Sequence, residues 1–212
     1  MASSFDEERP APEYDRLAKL AANVVLRLPS CPDELVRRAL QDVYRDFCRR
    51  SCCLSGVFRA EVSGCGVVPV PPTVGGVVDC VSGASLDGRA LVRGRDYAVR
   101  DGHPPAVELA RRLVPAPGER PAELEVRTVE VPSLSSEDVP FGFCDRYGEW
   151  LCDGALARLQ SMGGRPWTDE GSASLALARY EAGVCETRMR VLSGAACGDG
   201  QVDFLPDTSV LV

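Results

Sequence analysis

The period at which apolar residues recur changes twice along the 212-residue chain, and that change limits what it can fold into. In 14–28, Leu17, Leu20, Ala21, Val24, Val25 and Leu28 recur at three- and four-residue steps. This is the spacing of one face of an α-helix, and Pro29 stops it. Ser30-Cys31-Pro32-Asp33-Glu34 then places a serine cap, an early proline and two acids ahead of a second stripe, Val36, Ala39, Leu40, Val43 and Phe47. From about residue 55 to 131 the period drops towards two. The runs 57–62, 67–70, 77–81, 89–92, 96–99, 106–109 and 123–129 are short, β-rich and separated by Gly, Pro and Asp. Several alternate apolar with polar residues, as strands with one dry face do. Asp87-Gly88 marks a tight hairpin, and Asp101-Gly102 is a second candidate.

The helical period then returns. In 145–159 and just before it, Phe143, Tyr147, Trp150, Leu151, Ala155 and Leu159 share a face; in 168–191 the matching stripe is Ala173, Leu177, Tyr180 and Val184. Thr168 stands where a cap is needed, with Asp169 and Glu170 suited to the positive helix start. The loop 161–167 is short enough to make the two helices an antiparallel hairpin. Gly154, Ala155 and Ala157 let a partner helix come close, and Gly163-Gly164 supplies positive-φ positions beyond the first helix.

The expected fold is therefore α+β, with helical hairpins or a bundle contributed by both chain ends and an inserted small β-sandwich or barrel-like domain. Residues 1–13 read as a flexible arm, 14–54 and 135–193 as the helical domain, 55–134 as the β-rich insertion and 194–212 as an extended C-terminal tail.

Two stretches resemble the head-to-tail adaptor (connector) proteins of tailed bacteriophages. One is the run Tyr147-Gly148-Glu149-Trp150-Leu151-Cys152-Asp153-Gly154-Ala155-Leu156-Ala157-Arg158-Leu159, followed by Gly164-Arg165-Pro166-Trp167 and Ala178-Arg179-Tyr180-Glu181-Ala182-Gly183-Val184. The other closes the second helix, Asp46-Phe47-Cys48-Arg49-Arg50-Ser51. The resemblance covers roughly residues 14–192. It implies a structural virion protein of the phage neck, assembled in the host bacterial cytoplasm. It also implies a homo-oligomeric ring, commonly of twelve subunits, that grips the portal protein on one face and receives a tail or nozzle protein on the other. DNA would pass through the lumen without sequence-specific binding, and an acidic lumen would let it slide.

The bulk composition narrows the alternatives. A net charge of −7 argues against a protein that grips nucleic acid by neutralising phosphates. No apolar run reaches the length of a membrane span, and the start of the chain, with Asp6, Glu7 and Glu8, lacks the pattern of a signal peptide, so the expectation is a cytoplasmic origin and no membrane. Of the ten cysteines no pair has C-x-x-C spacing, and His103 is the only histidine. Cys48, Cys52, Cys53 and Cys65 could in principle surround a zinc, but buried thiols commonly act as small hydrophobes. His103 sits in Asp101-Gly102-His103-Pro104-Pro105, a turn-like setting that suits a general base poorly. The acid pairs Asp33/Glu34, Glu137/Asp138 and Asp169/Glu170 fall at expected helix starts. The expectation is no enzyme, no cofactor and no metal. The alternatives are another tail or neck component, such as a tail terminator or baseplate protein, and a small ligand-binding or enzymatic module built around His103 or the Cys48/Cys52/Cys53 group.

The residues that suit contacts with partners are Arg37, Arg38 and Arg45, off the apolar stripe of the second helix, Trp167 in its loop beside Pro166, and Phe204 and Leu205 in the tail. The arginines fit either a solvated face or a set of intersubunit ion pairs. The tail either folds back on its own domain or docks on a neighbour.

Overall fold

A computed structural model of the chain describes residues 14–74, 76–116, 118–134, 136 and 138–193. The expected arm and tail, including Phe204 and Leu205, lie outside the described residues. The fold is mixed helix and sheet, with strands β1 (Tyr14–Arg16), β2 (Ser55–Val62), β3 (Val67–Pro69), β4 (Val77–Leu86), β5 (Arg89–Ala90), β6 (Tyr97–Arg100), β7 (Ala106–Leu109), β8 (Ala122–Val131) and β9 (Asp138–Pro140). Helices α1 (Ala18–Arg27) and α2 (Asp33–Ser51) precede the main strands, and α3 (Phe143–Gln160) and α4 (Glu170–Leu192) follow them. Each of the seven β-rich runs is a strand.

β8 is the axis of the sheet region. It pairs antiparallel with β2 on one side and β4 on the other, in the order β2-β8-β4-β5, while β3, β7 and β6 form a second antiparallel sheet. Side chains of both sheets, among them Val62, Val81, Tyr97, Val107, Leu124 and Val126, share one apolar core. The β4–β5 hairpin turns through Asp87 and Gly88, both at positive φ, with Leu86 opposite Arg89. The β6–β7 connection is the longer loop 101–105. Because Ser55 lies opposite Val129 and the Glu130 amide donates to the Leu54 carbonyl at 2.8 Å, the sheet region starts and ends side by side. The chain can thus leave the helices after α2 and return to them at α3.

A second core gathers Leu20, Val24, Val36, Leu40, Phe47, Leu151, Leu159 and Tyr180 from the four helices. The apolar stripes expected for α1, α2 and α3 are the faces it buries, except that Ala21, Val25 and Trp150 are half-buried at its edge. The local details differ from expectation in six places. Residues 14–16 are not the first turn of α1 but a strand paired with β9, so Tyr14, Asp15 and Arg16 face Pro140, Val139 and Asp138. The backbone there finds its partners across the chain instead of along it, and Asp138, expected at a helix start, is a strand residue.

The remaining four concern helix ends, one stripe and one glycine. Ser30 does not cap α2; Pro32 occupies the cap position with extended ψ, leaving Asp33 and Glu34 in the first turn. The cap of α4 is Asp169, whose carboxylate accepts from the Ser172 amide at 3.0 Å, rather than Thr168. Thr168 instead ties its own loop, accepting from the Arg165 amide and donating to the Met162 carbonyl. On α4, Leu177 is 49% exposed while Ala176 is buried, since the helix meets α3 along Ala173, Ala176, Tyr180, Gly183 and Val184. Of the glycine pair, only Gly164 adopts positive φ. No helix among the described residues is long and apolar enough to cross a membrane.

Candidate functional site

The residues singled out in the α3–α4 stretch converge on α2. Phe47 meets Tyr147 at 5.3 Å between ring centroids, Trp150 at 6.2 Å and Tyr180 at 6.2 Å, and Phe143 meets Tyr44 at 5.1 Å and Tyr147 at 4.7 Å. Edge and tilted pairs of this kind add about 0.5–1.5 kcal/mol each beyond area burial. The glycines make room for them. A Cβ on Gly154 would stand 2.6 Å from Val43 Cγ1 and 2.8 Å from Tyr180 Cδ2, and one on Gly148 would stand 2.8 Å from Leu20 Cδ2. Side chains of α2 and α4 therefore lie against the α3 backbone at Gly154, and a side chain of α1 does so at Gly148.

Where α2, α3 and α4 diverge, a groove of about 550 Å³ opens, floored by Val43, Gly154, Ala157 and Ala173 and edged by Asp46, Arg50, Tyr180 and Glu181. Its polar rim is a closed network. Arg50 holds Glu181 with two hydrogen bonds, one at 2.8 Å, and reaches Asp46 at 3.3 Å, while the Tyr180 hydroxyl donates to Asp46 at 2.7 Å. Burial and the bond to Asp46 push the Tyr180 phenol well above its ordinary value. The Arg50 guanidinium holds the Glu181 carboxyl below the usual carboxylate range. These charges face one another, so the network joins α2 to α4 and offers little unpaired charge to a ligand.

A second polar centre lies under the sheet region. Glu130, fully buried on β8, accepts from the Thr73 amide at 2.6 Å, the Thr73 hydroxyl at 2.8 Å and the Val74 amide at 2.9 Å. This carboxylate pins the 71–74 segment over Gly56, where a Cβ would collide with both the Thr73 hydroxyl and Glu130. Asp96 does the same for the β5–β6 link. Arg95 and Arg112 donate to it, as does the Val92 amide at 3.0 Å, and together they hold its carboxyl well below the ordinary range. Neither centre was legible in the run pattern, because an acid in a strand reads as a solvent-facing residue until its face is known.

The residues expected to make partner contacts are not brought together. Arg37 and Arg38 stand exposed on α2, Arg45 is half-buried on the same helix, and Trp167 packs half-buried against the helical core with its indole N–H enclosed and unpartnered. Cys48 and Cys53 are neighbours, their sulfurs 3.9 Å apart, whereas Cys65 is exposed among the strands. Among the described residues no group of three or more His, Cys, Asp or Glu side chains could hold a metal ion. His103 lies exposed in the 101–105 loop. Large apolar side chains stand in water at Leu26, Leu134 and Phe141 and along α4 at Leu175, Met189 and Leu192. No protein-family model matches the chain, and no curated protein matches its sequence.

Proposed function

We propose that this chain is a structural virion protein, a head-to-tail adaptor that forms a ring between portal and tail in the phage neck. The observation that carries the reading is the placement of the resembling residues. Tyr147, Trp150, Gly154, Tyr180 and Gly183 on one side and Phe47 on the other are the ones whose packing locks α2, α3 and α4 together. The motif is thus a framework shared by shape, and it encloses a β-sandwich or barrel-like insertion, the layout the resemblance implies. A ring needs two different patches on every subunit. The exposed Arg37 and Arg38 of α2, with Arg45 and Trp167, supply charged and aromatic contact residues. A net charge of −7 suits a lumen through which DNA slides.

Native mass spectrometry of the purified chain, alone and mixed with portal rings from the same genome, tests this. A ring, or a portal-bound belt of fixed stoichiometry, is the expected result. A chain that ignores the portal and joins tail proteins sinks the adaptor reading in favour of a tail component; a retained metal or small ligand would point to a binding module.

A further inference from the structure

The face of α4 turned away from the helical core carries no charge along its length. Leu175, Ala178, Ala182, Cys185, Met189 and Leu192 are all exposed and recur at alternating steps of three and four, the spacing of a coiled-coil seam. Met189 is 65% exposed and Leu175 57%. The seam is about 25 Å long at 1.5 Å per residue. It lies opposite the face that α4 buries through Ala173, Ala176, Tyr180 and Thr187. A continuous apolar strip in water marks an interaction site.

We propose that this seam docks a second copy of the chain, the two α4 helices lying antiparallel about a two-fold axis. The charges on its shoulders select both partner and direction. Arg179 and Glu186 flank the seam on one side, Glu181 and Arg188 on the other. In an antiparallel pair like shoulders face each other, so Arg179 of each copy meets Glu186 of the other and Glu181 meets Arg188, giving four attractive contacts. A parallel pair instead sets Glu181 against Glu186, two like charges. Shape agrees. Ala182 falls opposite Cys185 at the centre, Ala178 opposite Met189, and Leu175 opposite Leu192 at each end, so the helices come closest where the residues are smallest. Glu181 already binds Arg50, Glu186 binds Arg190 and Arg179 stands 3.8 Å from Asp153, but a carboxylate has acceptor sites for two partners and a guanidinium has donors for two. Such a pair sits near the lower end of specific interfaces, about 1,200 Å², so weak pairing is expected and a micromolar series is the range in which to look for it. The contact is independent of the adaptor reading, because a two-fold pair closes at two copies and a ring needs other surfaces.

The full chain, followed by sedimentation equilibrium and native mass spectrometry across a micromolar series, is expected to show a two-copy species. Met189→Asp, which changes a side chain already in water, is expected to leave the thermal melt in place and weaken pairing at least about tenfold, by forcing a charge into the seam. Direction is read from Ala178→Cys/Met189→Cys after oxidation. Positions 178 and 189 lie about 16 Å apart on one helix, beyond disulfide reach, so a 178–189 link forms only between copies. That linked peptide is the expected product. A monomer at every concentration, an oligomer that Met189→Asp leaves intact, or a 178–178 link in place of 178–189 overturns the proposal.

Discussion

Gly183 of α4 lies directly beneath the indole of Trp150: a Cβ there would stand 2.8 Å from Cδ1 and closer still to Cγ and Cδ2. The glycine is not there for a turn, since it sits mid-helix where it costs about 1 kcal/mol against alanine. It is there because the ring of α3 needs the space. Gly183→Ala is therefore expected to destabilise the chain by about 1–3 kcal/mol in urea unfolding, the overpacking penalty outweighing the gain in helix propensity. A variant as stable as the parent would mean that Trp150, half-buried, turns out of the way at little cost.

Tyr180 carries two separable contributions. Tyr180→Phe keeps the ring against Phe47 and Gly154 and loses the hydroxyl bond to Asp46 with the longer one, at 3.5 Å, to the Val43 carbonyl, so a loss of about 1 kcal/mol is expected. Tyr180→Ala empties the core side of the groove and should cost about 3–5 kcal/mol. Denaturant midpoints of the two variants, compared side by side, separate the terms.

Glu130 holds three donors from Thr73 and Val74 in a buried site. Glu130→Ala strands two backbone amides, and a destabilisation of about 3 kcal/mol is expected. Hydrogen exchange should show the change locally, with the Val74 amide losing protection before the helical core does.

The Arg50–Glu181 pair sets a pH signature. Because the folded Glu181 carboxyl lies below its unfolded value, its stabilisation is fully present above about pH 4.3 and is lost as pH falls through the folded value. Arg50→Ala removes that lowering. The variant should lose about 0.5–1 kcal/mol near neutral pH, since both side chains are partly exposed, and show a shallower acid limb in a stability-against-pH series. An unchanged acid limb would assign the acid sensitivity elsewhere.

Thiol reactivity should follow burial. Burial chiefly pushes Cys152 up to about 11, with Asp153 and Glu149 adding to it against Arg27, and the thiol donates to the Leu20 carbonyl. Cys48 is raised by the same cause. At about pH 8, iodoacetamide is expected to label exposed Cys65 while sparing Cys48 and Cys152 until the chain unfolds, as read by peptide mass spectrometry.

The helices and strands were largely legible in the sequence, and for a local reason. The period of apolar residues records which face of an element is dry, and that face exists before any partner is chosen. All seven β-rich runs became strands, the Asp87-Gly88 turn formed, and the stripes of α1, α2 and α3 were buried. On α4 the pattern was ambiguous, because apolar residues occupy two opposite faces: Tyr180 and Val184 belong to the buried one, Leu175 and Met189 to the outer one. Leu177 fitted the spacing of the first and yet lies on its open edge.

What the tertiary structure alone decided were the relations between distant residues. Nothing local marks β1 and β9 as partners 122 or more positions apart, gives the cap of α4 to Asp169 while Thr168 ties its loop, or turns Glu130 inward to meet Thr73. Each depends on a donor, acceptor or space supplied by another element. The sequence by itself determined the elements, their order and their dry faces, because those follow from side-chain spacing. Only folding decided which faces met, which charges became neighbours and which apolar face of α4 was left exposed.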